Sequence, residues 1–279
     1  FDLTGMEGEF TSLMTYQDNA AVLITLAVLT IVGGLGFIVW ENFLNMKTRK
    51  KLSLHSKVVL VMTGILIVSG TVFFLIAEWN NPLTMKDMPF GQKLLNSFYC
   101  SVNTRCSGFE NIKTSDMSEF SQLGAILLMF IGAAPGSTGG GIKVTTLMVI
   151  IMTVVSYIRN MNDVEIFRHK IDKLTVYRAM VISLLSMIAV AVCFVVLYFS
   201  IPEGSDVGAV QCLFDAVSAF STTGNSAGTL RIVGLAGKIL LILTMFIGRV
   251  GPVSLVMSLV LNSAKRKNIV VPDGQILIG

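Results

Sequence analysis

The segment 132–146, GAAPGSTGGGIKVTT, combines residue types that could bind a phosphate group. Glycine amides can face phosphate oxygens, and Lys143 with a nearby hydroxyl could complete such a site. A Walker-type loop, however, has the pattern Gly-x4-Gly-Lys-Ser/Thr between a strand and a helix. Here Ile142 separates the last glycine from Lys143, and Val144 stands where the metal-binding hydroxyl is required. The spacing therefore disfavours a nucleotide site at residues 136–143.

Two other short segments contain the residue types of a cation selectivity filter. Residues 106–109 read CSGF and residues 222–225 read TTGN, each with glycine in the third position. In such filters backbone carbonyl oxygens replace the hydration shell of an ion, and glycine permits the backbone angles that this requires. An ordinary Ser/Thr/Gly turn between helices is the alternative for either segment alone. The candidate ion ligands are the carbonyl groups of Cys106, Ser107, Gly108, Phe109, Thr222, Thr223, Gly224 and Asn225.

An internal repeat supports the filter interpretation. An offset of 116 residues aligns Gly108 with Gly224. The same offset aligns two copies of the sequence MFIG, at 129–132 and 245–248. Each unit is predicted to contain, in this order, a spanning helix, a short amphipathic half-helix, a filter segment and a second spanning helix. In the first unit these elements are 55–78, 91–103, 104–109 and 117–158. In the second unit they are 174–200, 208–220, 221–226 and 237–262.

The composition places these units in a membrane. Hydrophobic residues make up 53% of the 279 residues and charged residues 14%, whereas soluble domains carry about 25% charged residues. Four windows approach the ~20 apolar residues that cross a bilayer. We therefore predict an all-α polytopic membrane protein in contact with lipid, with its clearest spans at 20–42, 58–77, 179–199 and 239–261. The half-helices are too short to cross, and irregular backbone is tolerated at membrane depth only where protein buries it or water surrounds it.

The distribution of charge predicts the orientation of the chain. Thirteen of the 21 Lys and Arg residues fall in the connecting loops 46–57 and 157–178 and in the tail at 264–268. Because positively charged loops of membrane proteins face the cytoplasm, the carboxyl terminus is expected on that side. The half-helices then enter from the outside, as re-entrant pore loops do.

The glycine-rich segment also interrupts a predicted membrane helix. Pro135 lacks a backbone donor, and each glycine disfavours helix by about 1 kcal/mol relative to alanine. The freed backbone groups must find water, the hydroxyls of Ser137 and Thr138, or another partner. Its register with the other units places the break on the cytoplasmic side of the filter, where we interpret it as a gate; a kink for helix packing is the alternative. The candidate gate residues are Gly136, Ser137, Thr138, Gly139, Gly140, Gly141, Lys143 and Arg249.

Arg249 is a charged residue in the middle of the last predicted helix. A cation at mid-bilayer costs on the order of 3 kcal/mol, so Arg249 is expected to face the pore or to have a partner. There it would raise the barrier for a passing cation and act together with the loop. The alternative is a pairing with an acid for assembly, for which Asp215 is a candidate. Arg105, within the predicted filter segment 104–109, is expected to hold the filter rather than to bind the ion.

Four segments of the sequence together resemble the Trk/Ktr/HKT superfamily of potassium transporters: NTRCSGFENI, GAAPGSTGGGIKVTT, STTGNSAG and FIGRVGPVSL. FIGRVGP and the terminal PDGQILIG resemble the Ktr-type pore subunit. The resemblance implies four tandem helix–re-entrant pore loop–helix units in a pseudo-fourfold arrangement around one pore. It also implies a homodimer with one pore per subunit, bound to a cytoplasmic nucleotide-binding regulatory ring of RCK type.

On this resemblance, the chain divides into three parts. Residues 1–52 would be the end of a second pore unit, with its filter end and second helix. Residues 53–172 would be the third unit, whose second helix is broken, and residues 173–279 the fourth unit with the carboxyl-terminal tail. The chain is therefore expected to be the carboxyl-terminal part of a longer protein.

These features together predict potassium uptake across the bacterial plasma (inner) membrane, through the filter and past the gating loop 132–146. The filter carbonyls would bind only the transported K⁺, with Na⁺ as a candidate activator, and neither a cofactor in this chain nor a nucleic-acid partner is expected. No pair of carboxylates or activated nucleophile has the spacing of an enzyme site, so we do not expect an enzyme. Two alternatives remain: a truncated, non-conducting fragment, and a nucleotide-binding membrane enzyme that uses residues 136–143.

Overall fold

The computed structural model describes residues 12–45, 52–161, 163–202 and 207–251. Parts of the predicted first and last domains, including the basic segment 264–268, lie outside the described residues. Within them the secondary structure is almost entirely helical. A short antiparallel hairpin, β1 (Glu165–Ile166) and β2 (His169–Lys170), lies in the predicted basic loop 157–178.

The helices follow the predicted order of a spanning helix, a half-helix and a second helix. Two helices come first, α1 (Ala20–Gly34) and α2 (Phe37–Leu44). The next four are α3 (Leu54–Ala77), α4 (Phe90–Asn103), α5 (Glu119–Phe130) and α6 (Val144–Ile158). The last three are α7 (Lys173–Ser200), α8 (Ala209–Ser221) and α9 (Leu235–Val250). The half-helices α4 and α8 thus begin and end within one residue of the predicted bounds.

The long helices expose many apolar side chains, whereas most residues of the half-helices are buried in the protein. By length and composition α3 and α7 could each cross a membrane, and the pair α1 and α2 could do so if it is counted as one span. Large apolar side chains along these helices are exposed, among them Val68, Ile76 and Leu184. Apolar exposure on this scale is typical of a surface that faces lipid. The predicted all-α membrane architecture is therefore present.

Two buried polar residues of the half-helix α4 have hydrogen-bond partners on other segments. The Ser101 hydroxyl donates to the carbonyl of Ile67 on α3, at 2.9 Å. Asn96 is fully buried, and its amide nitrogen donates to the carbonyl of Gln17, at 3.1 Å. Because an unpaired polar group costs free energy in an apolar interior, these bonds allow a polar helix to lie among apolar ones.

Two of the predicted spanning helices are not continuous. The helix predicted over 20–42 is bent by 91° between α1 and α2. At the bend Gly36 has a φ of +82°, and a Cβ there would lie 2.5 Å from the carbonyl oxygen of Pro135. The helix predicted over 237–262 ends at Val250, because Gly251 has a φ of +91°. The prediction of unbroken helices was wrong at Gly36 and Gly251, where the left-handed backbone conformation suits a residue without a Cβ. Residues 252–262 of the second predicted helix lie outside the described residues.

A buried carboxylate joins the segments on the predicted outer side. Glu78 follows α3 and is fully buried. Its Oε2 accepts hydrogen bonds from Asn81 Nδ2 at 2.6 Å and from Thr84 Oγ1 at 2.5 Å. Its Oε1 accepts from the amide and the hydroxyl of Ser118, the N-cap of α5, at 3.0 and 2.9 Å. Burial acts to raise the pKa of the Glu78 carboxyl, but these donors outweigh burial and leave the pKa below its ordinary value.

Replacing Glu78 by alanine is expected to destabilise the protein by on the order of 2 kcal/mol, because the buried donors around it lose their acceptor. The measurement is the Tm of purified protein in detergent. The control is Asp87→Ala, which removes an exposed carboxylate from the segment that follows α3. Since folding lowers the pKa of Glu78, its contribution is present above the pKa of the unfolded carboxyl. It is lost as the pH falls through the lower pKa of the folded state. An equal Tm for Glu78→Ala and Asp87→Ala at neutral pH would contradict the anchoring role.

Candidate functional site

The half-helices bring the two predicted filter segments together. The segment after α4 contains Gly108 with a φ of +74°, and the segment after α8 contains Gly224 with a φ of +94°. A Cβ built on Gly224 would lie 3.1 Å from the Cα of Gly108. The two glycines are therefore in contact, and both have backbone angles that favour glycine. Residues aligned by the sequence repeat are thus neighbours in the structure.

The residues before these glycines are also constrained. Cys106 and Thr222 have φ values of +71° and +55°, uncommon for residues other than glycine. The Cys106 thiol donates to the carbonyl of Ser221 at 3.1 Å, which joins the two segments again. The hydroxyls of Thr223 and Ser221 are 2.7 Å apart. Each segment is therefore held both by its own half-helix and by the neighbouring segment.

The remaining filter residues contact the surrounding helices. The Ser107 hydroxyl is 3.2 Å from the hydroxyl of Tyr99 on α4. Phe109 packs beside the apolar cluster that contains Tyr99, Leu23 and Val102. The carbonyl oxygen of Asn225 accepts a hydrogen bond from the Ser218 hydroxyl of α8, at 2.6 Å. In this conformation the Asn225 carbonyl is therefore held by the half-helix.

The glycine-rich segment forms a compact loop between α5 and α6. The amide of Gly132 donates to the carbonyl of Ile142 at 2.8 Å, and the amide of Ile142 donates to the carbonyl of Phe130 at 3.2 Å. A Cβ on Gly132 would overlap the carbonyl oxygen of Gly140. The Ser137 hydroxyl donates to the carbonyl of Ala134 at 2.6 Å. The predicted helix break is present, and its two ends are joined to each other.

One side of the loop contacts the start of both filter segments. The Gly140 amide donates to the Thr222 hydroxyl at 3.0 Å. A Cβ on Gly139 would lie 3.0 Å from the sulfur of Cys106. Gly141, with a φ of +72°, packs against Ser221 in the same way. Consecutive glycines therefore let the loop backbone lie directly against the filter.

The other side of the loop contacts the bend between α1 and α2. The Phe37 amide donates to the carbonyl of Gly136 at 3.1 Å. The amides of Ala134 and Thr138 donate to the carbonyls of Gly34 and Gly33, at 3.1 and 3.3 Å. The bend at Gly36 thus supplies backbone partners to the loop, which explains why a predicted spanning helix changes direction there.

Both predicted intramembrane cations bind carbonyl oxygens of the loop. Lys143 donates to the carbonyl of Gly139 and Arg249 to the carbonyl of Thr138. The suggested pairing of Arg249 with Asp215 is absent, because Asp215 accepts instead from the amides of Ala227 and Thr229, which follow the segment 222–225. Arg105 is buried and lines a small cavity beside Ala133, so its predicted role in holding the filter stays a prediction.

The loop does not have the context of a nucleotide site. A Walker loop follows a strand, whereas this loop follows the helix α5 and contacts a second loop and two filter segments. The amides of Gly140 and Thr138 are engaged by Thr222 and Gly33 within the protein. The geometry therefore favours a structural or gating role over phosphate binding.

Sequence reasoning missed the contact on the other side of the filters. The carboxylate of Glu110 accepts a hydrogen bond from the amide of Ser226 at 3.0 Å. These two residues directly follow the two filter segments and are aligned by the same offset of 116 residues. The internal repeat with its offset of 116 residues is therefore the sequence feature that could have predicted this contact.

Two arrangements of a long helix, a half-helix, a glycine-containing segment and a further helix are in contact, and a glycine-rich loop packs against them, as expected for a membrane protein with re-entrant loops. A family model described as "TrkH: Cation transport protein" matches residues 1–269. The chain belongs to this family of cation transport proteins, which confirms the resemblance noted in the sequence. The family consists of transport proteins rather than enzymes, as predicted.

Relatives of the chain are about one third identical to it over the aligned residues. The potassium/sodium uptake protein NtpJ of Enterococcus hirae is 35% identical over an alignment of 282 positions, which covers 100% of this chain and 61% of that protein. The Ktr system potassium uptake protein B of Bacillus subtilis is 34% identical over 272 residues, 96% of this chain and 59% of that protein. The chain thus spans about 60% of the length of these relatives.

The crystal structure of the potassium transporter TrkH from Vibrio parahaemolyticus has the same fold. It matches with a TM-score of 0.71 at 14% sequence identity, over 90% of this chain and 54% of that one. At this identity the likeness shows the fold alone. The predicted fold class is confirmed by this match.

Replacing Gly132 by alanine is expected to destabilise the protein by about 1–3 kcal/mol, because a Cβ overlaps the Gly140 carbonyl and forces the loop apart. Gly64→Ala is the matched control: Gly64 lies in the middle of α3 with no atom near its added Cβ, and alanine favours helix there. The measurement is the Tm of both variants in detergent. Equal or higher Tm for Gly132→Ala would contradict the closed loop.

Proposed function

We propose that this chain forms part of a pore for potassium uptake across the bacterial plasma membrane, with its carboxyl terminus in the cytoplasm. The observation that carries the proposal is the contact between two glycine-containing segments, each placed at the end of a buried half-helix. Membership of a cation transport family supports it, as do the names of relatives that take up potassium or potassium and sodium.

The half-helices contribute to cation binding through their orientation. Both α4 and α8 have their carboxyl ends at the filter segments. The carboxyl end of a helix carries a partial negative charge, which stabilises a nearby cation. Carbonyl oxygens of residues 106–109 and 222–224 would then replace the hydration water of K⁺. The Asn225 carbonyl would have to release Ser218 to take part. A fourfold filter needs two further segments besides these.

The loop is proposed to act as the gate beneath this filter. It contacts Cys106 and Thr222 at the start of the two segments, and it must move if an ion is to pass below them. Lys143 and Arg249 hold it through its carbonyl groups. Their positive charges also raise the barrier to a cation while the loop is in this position.

The proposed partners are a second copy of the chain and a cytoplasmic nucleotide-binding ring of RCK type, as the resemblance to Ktr-type subunits implies. The helix α6 leads from the loop toward the predicted cytoplasmic side, so a ring there could act on the loop through α6. Na⁺ is proposed as an activator. The nucleotide would bind to the ring and not to residues 136–143.

The test of the function is Rb⁺ or K⁺ uptake in cells that lack their own potassium uptake, with the chain alone and with the same chain extended by any upstream coding sequence. Gly224→Ser in the transporting form is expected to reduce K⁺/Na⁺ discrimination by about tenfold or more, since a side chain fits neither the φ of +94° nor the contact with Gly108. Gly234→Ser is the control, because Gly234 precedes α9 with open space around it.

Unchanged discrimination by Gly224→Ser would remove residues 222–225 from the filter. Absence of uptake by both the chain and its extended form would favour the non-conducting fragment.

Deleting Gly139–Gly141 is expected to raise the K⁺ flux severalfold, because the shortened loop cannot reach Thr222 and Cys106. The measurement is the initial rate of uptake per transporter in the membrane, in the same transporting form. A variant that is folded and inserted but no faster than the unaltered protein would argue against a gate.

A further inference from the structure

The ends of the two filter segments are joined by one carboxylate. Glu110 directly follows the filter segment of the third unit, and Ser226 directly follows that of the fourth. Glu110 Oε1 accepts hydrogen bonds from the Ser226 amide at 3.0 Å and from the Thr114 hydroxyl at 3.0 Å. The first bond crosses between units, whereas the second fixes the carboxylate within its own unit.

The segment that Glu110 reaches is held by a second carboxylate from the fourth unit itself. Asp215 on α8 accepts from the amide of Ala227 at 2.7 Å and from the amide of Thr229 at 3.0 Å. It also accepts from the Ser226 hydroxyl, at 3.2 Å. Two carboxylates from two different units therefore bind three backbone amides within four residues. Ser226 contacts both of them.

We propose that Glu110 is a positioning residue for ion selectivity, an inference that rests on the proposed filter function. A filter discriminates between ions only if its carbonyl oxygens keep their positions. Ser226 is bonded directly to Asn225, so an anchored Ser226 amide restricts the backbone of residues 222–225. Hydrogen bonds to a carboxylate are about twice as strong as neutral ones, which suits them to this restraint. Through Glu110 the third unit thus sets the geometry of the filter segment in the fourth.

A different role for Glu110 would be to attract cations through its charge alone. The two roles can be separated, because one oxygen, Oε1, accepts both hydrogen bonds. Glutamine keeps an oxygen that can accept both bonds and removes the charge, whereas alanine removes the bonds and the charge together. A positioning role therefore predicts rescue by glutamine, and an electrostatic role does not.

The experiment measures competition of Na⁺ with Rb⁺ uptake, in the transporting form of the protein, for Glu110→Ala and Glu110→Gln. We expect Glu110→Ala to lower K⁺/Na⁺ discrimination about tenfold, while Glu110→Gln stays within about threefold of the unaltered protein. The matched controls are Glu119→Ala and Glu119→Gln, since Glu119 is an exposed residue in the first turn of α5. Unchanged discrimination in Glu110→Ala, or equal damage in both Glu110 variants, would overturn the proposal.

Thr114→Val provides a second test if Glu110→Ala does not reach the membrane. It removes the hydroxyl that fixes the carboxylate but keeps Glu110 itself, and it is expected to lower discrimination about threefold. Full discrimination in this variant would overturn the proposal as well. If the unaltered protein takes up no Rb⁺, the proposed function itself fails; if it is selective and the variants are equally selective, only the role of Glu110 fails.

Discussion

The architecture depends on the need to satisfy every backbone amide and carbonyl that lies outside a helix at membrane depth. Hydrocarbon offers no hydrogen bonds, so irregular segments must find partners within the protein. The glycine-rich loop finds them on three sides: in its own ends, in the bend near Gly34, and in the Thr222 hydroxyl. The filter segments find them in their half-helices and in each other. The polar interior formed by short helices follows from this requirement.

Glycine lets the backbones of these segments approach one another closely, because it has no Cβ. At Gly36 and Gly140 an added Cβ would press on a carbonyl oxygen of a different segment, and at Gly132 it would press on a carbonyl oxygen of the same loop. Gly248 on α9 similarly lies against the backbone of Phe220 at the end of α8. Close backbone contacts therefore occur between the α1–α2 bend and the loop, between the loop and the end of α8, and between α8 and α9. These contacts hold the loop and the two filter segments together as one packed unit.

Most elements could be predicted from the sequence because their signals are local. Length and apolar content located α3 and α7, and the run of glycines after Pro135 located the break between α5 and α6. The bend at Gly36 could not be predicted, because a single glycine is tolerated in a helix and the backbone partners of the bend lie in the distant loop 132–146. Asp215 was an inaccurate choice of partner for Arg249, since charge pairing overlooks backbone carbonyls as acceptors. The contact of Glu110 with Ser226 is not evident from residue types, because its donor is a backbone amide, although the offset of 116 residues aligns the two residues.

The bonds on both sides of the loop bear on how sharply transport could switch. Releasing the loop from Thr222 while it still holds the bend would leave the Gly140 amide without a partner. Releasing only the bend would do the same to the amide of Phe37. Release of either side alone therefore costs free energy unless water replaces the lost partner. Under the gating role proposed above, the two sides are expected to be released together, so a regulator would change how often the pore is open rather than how wide.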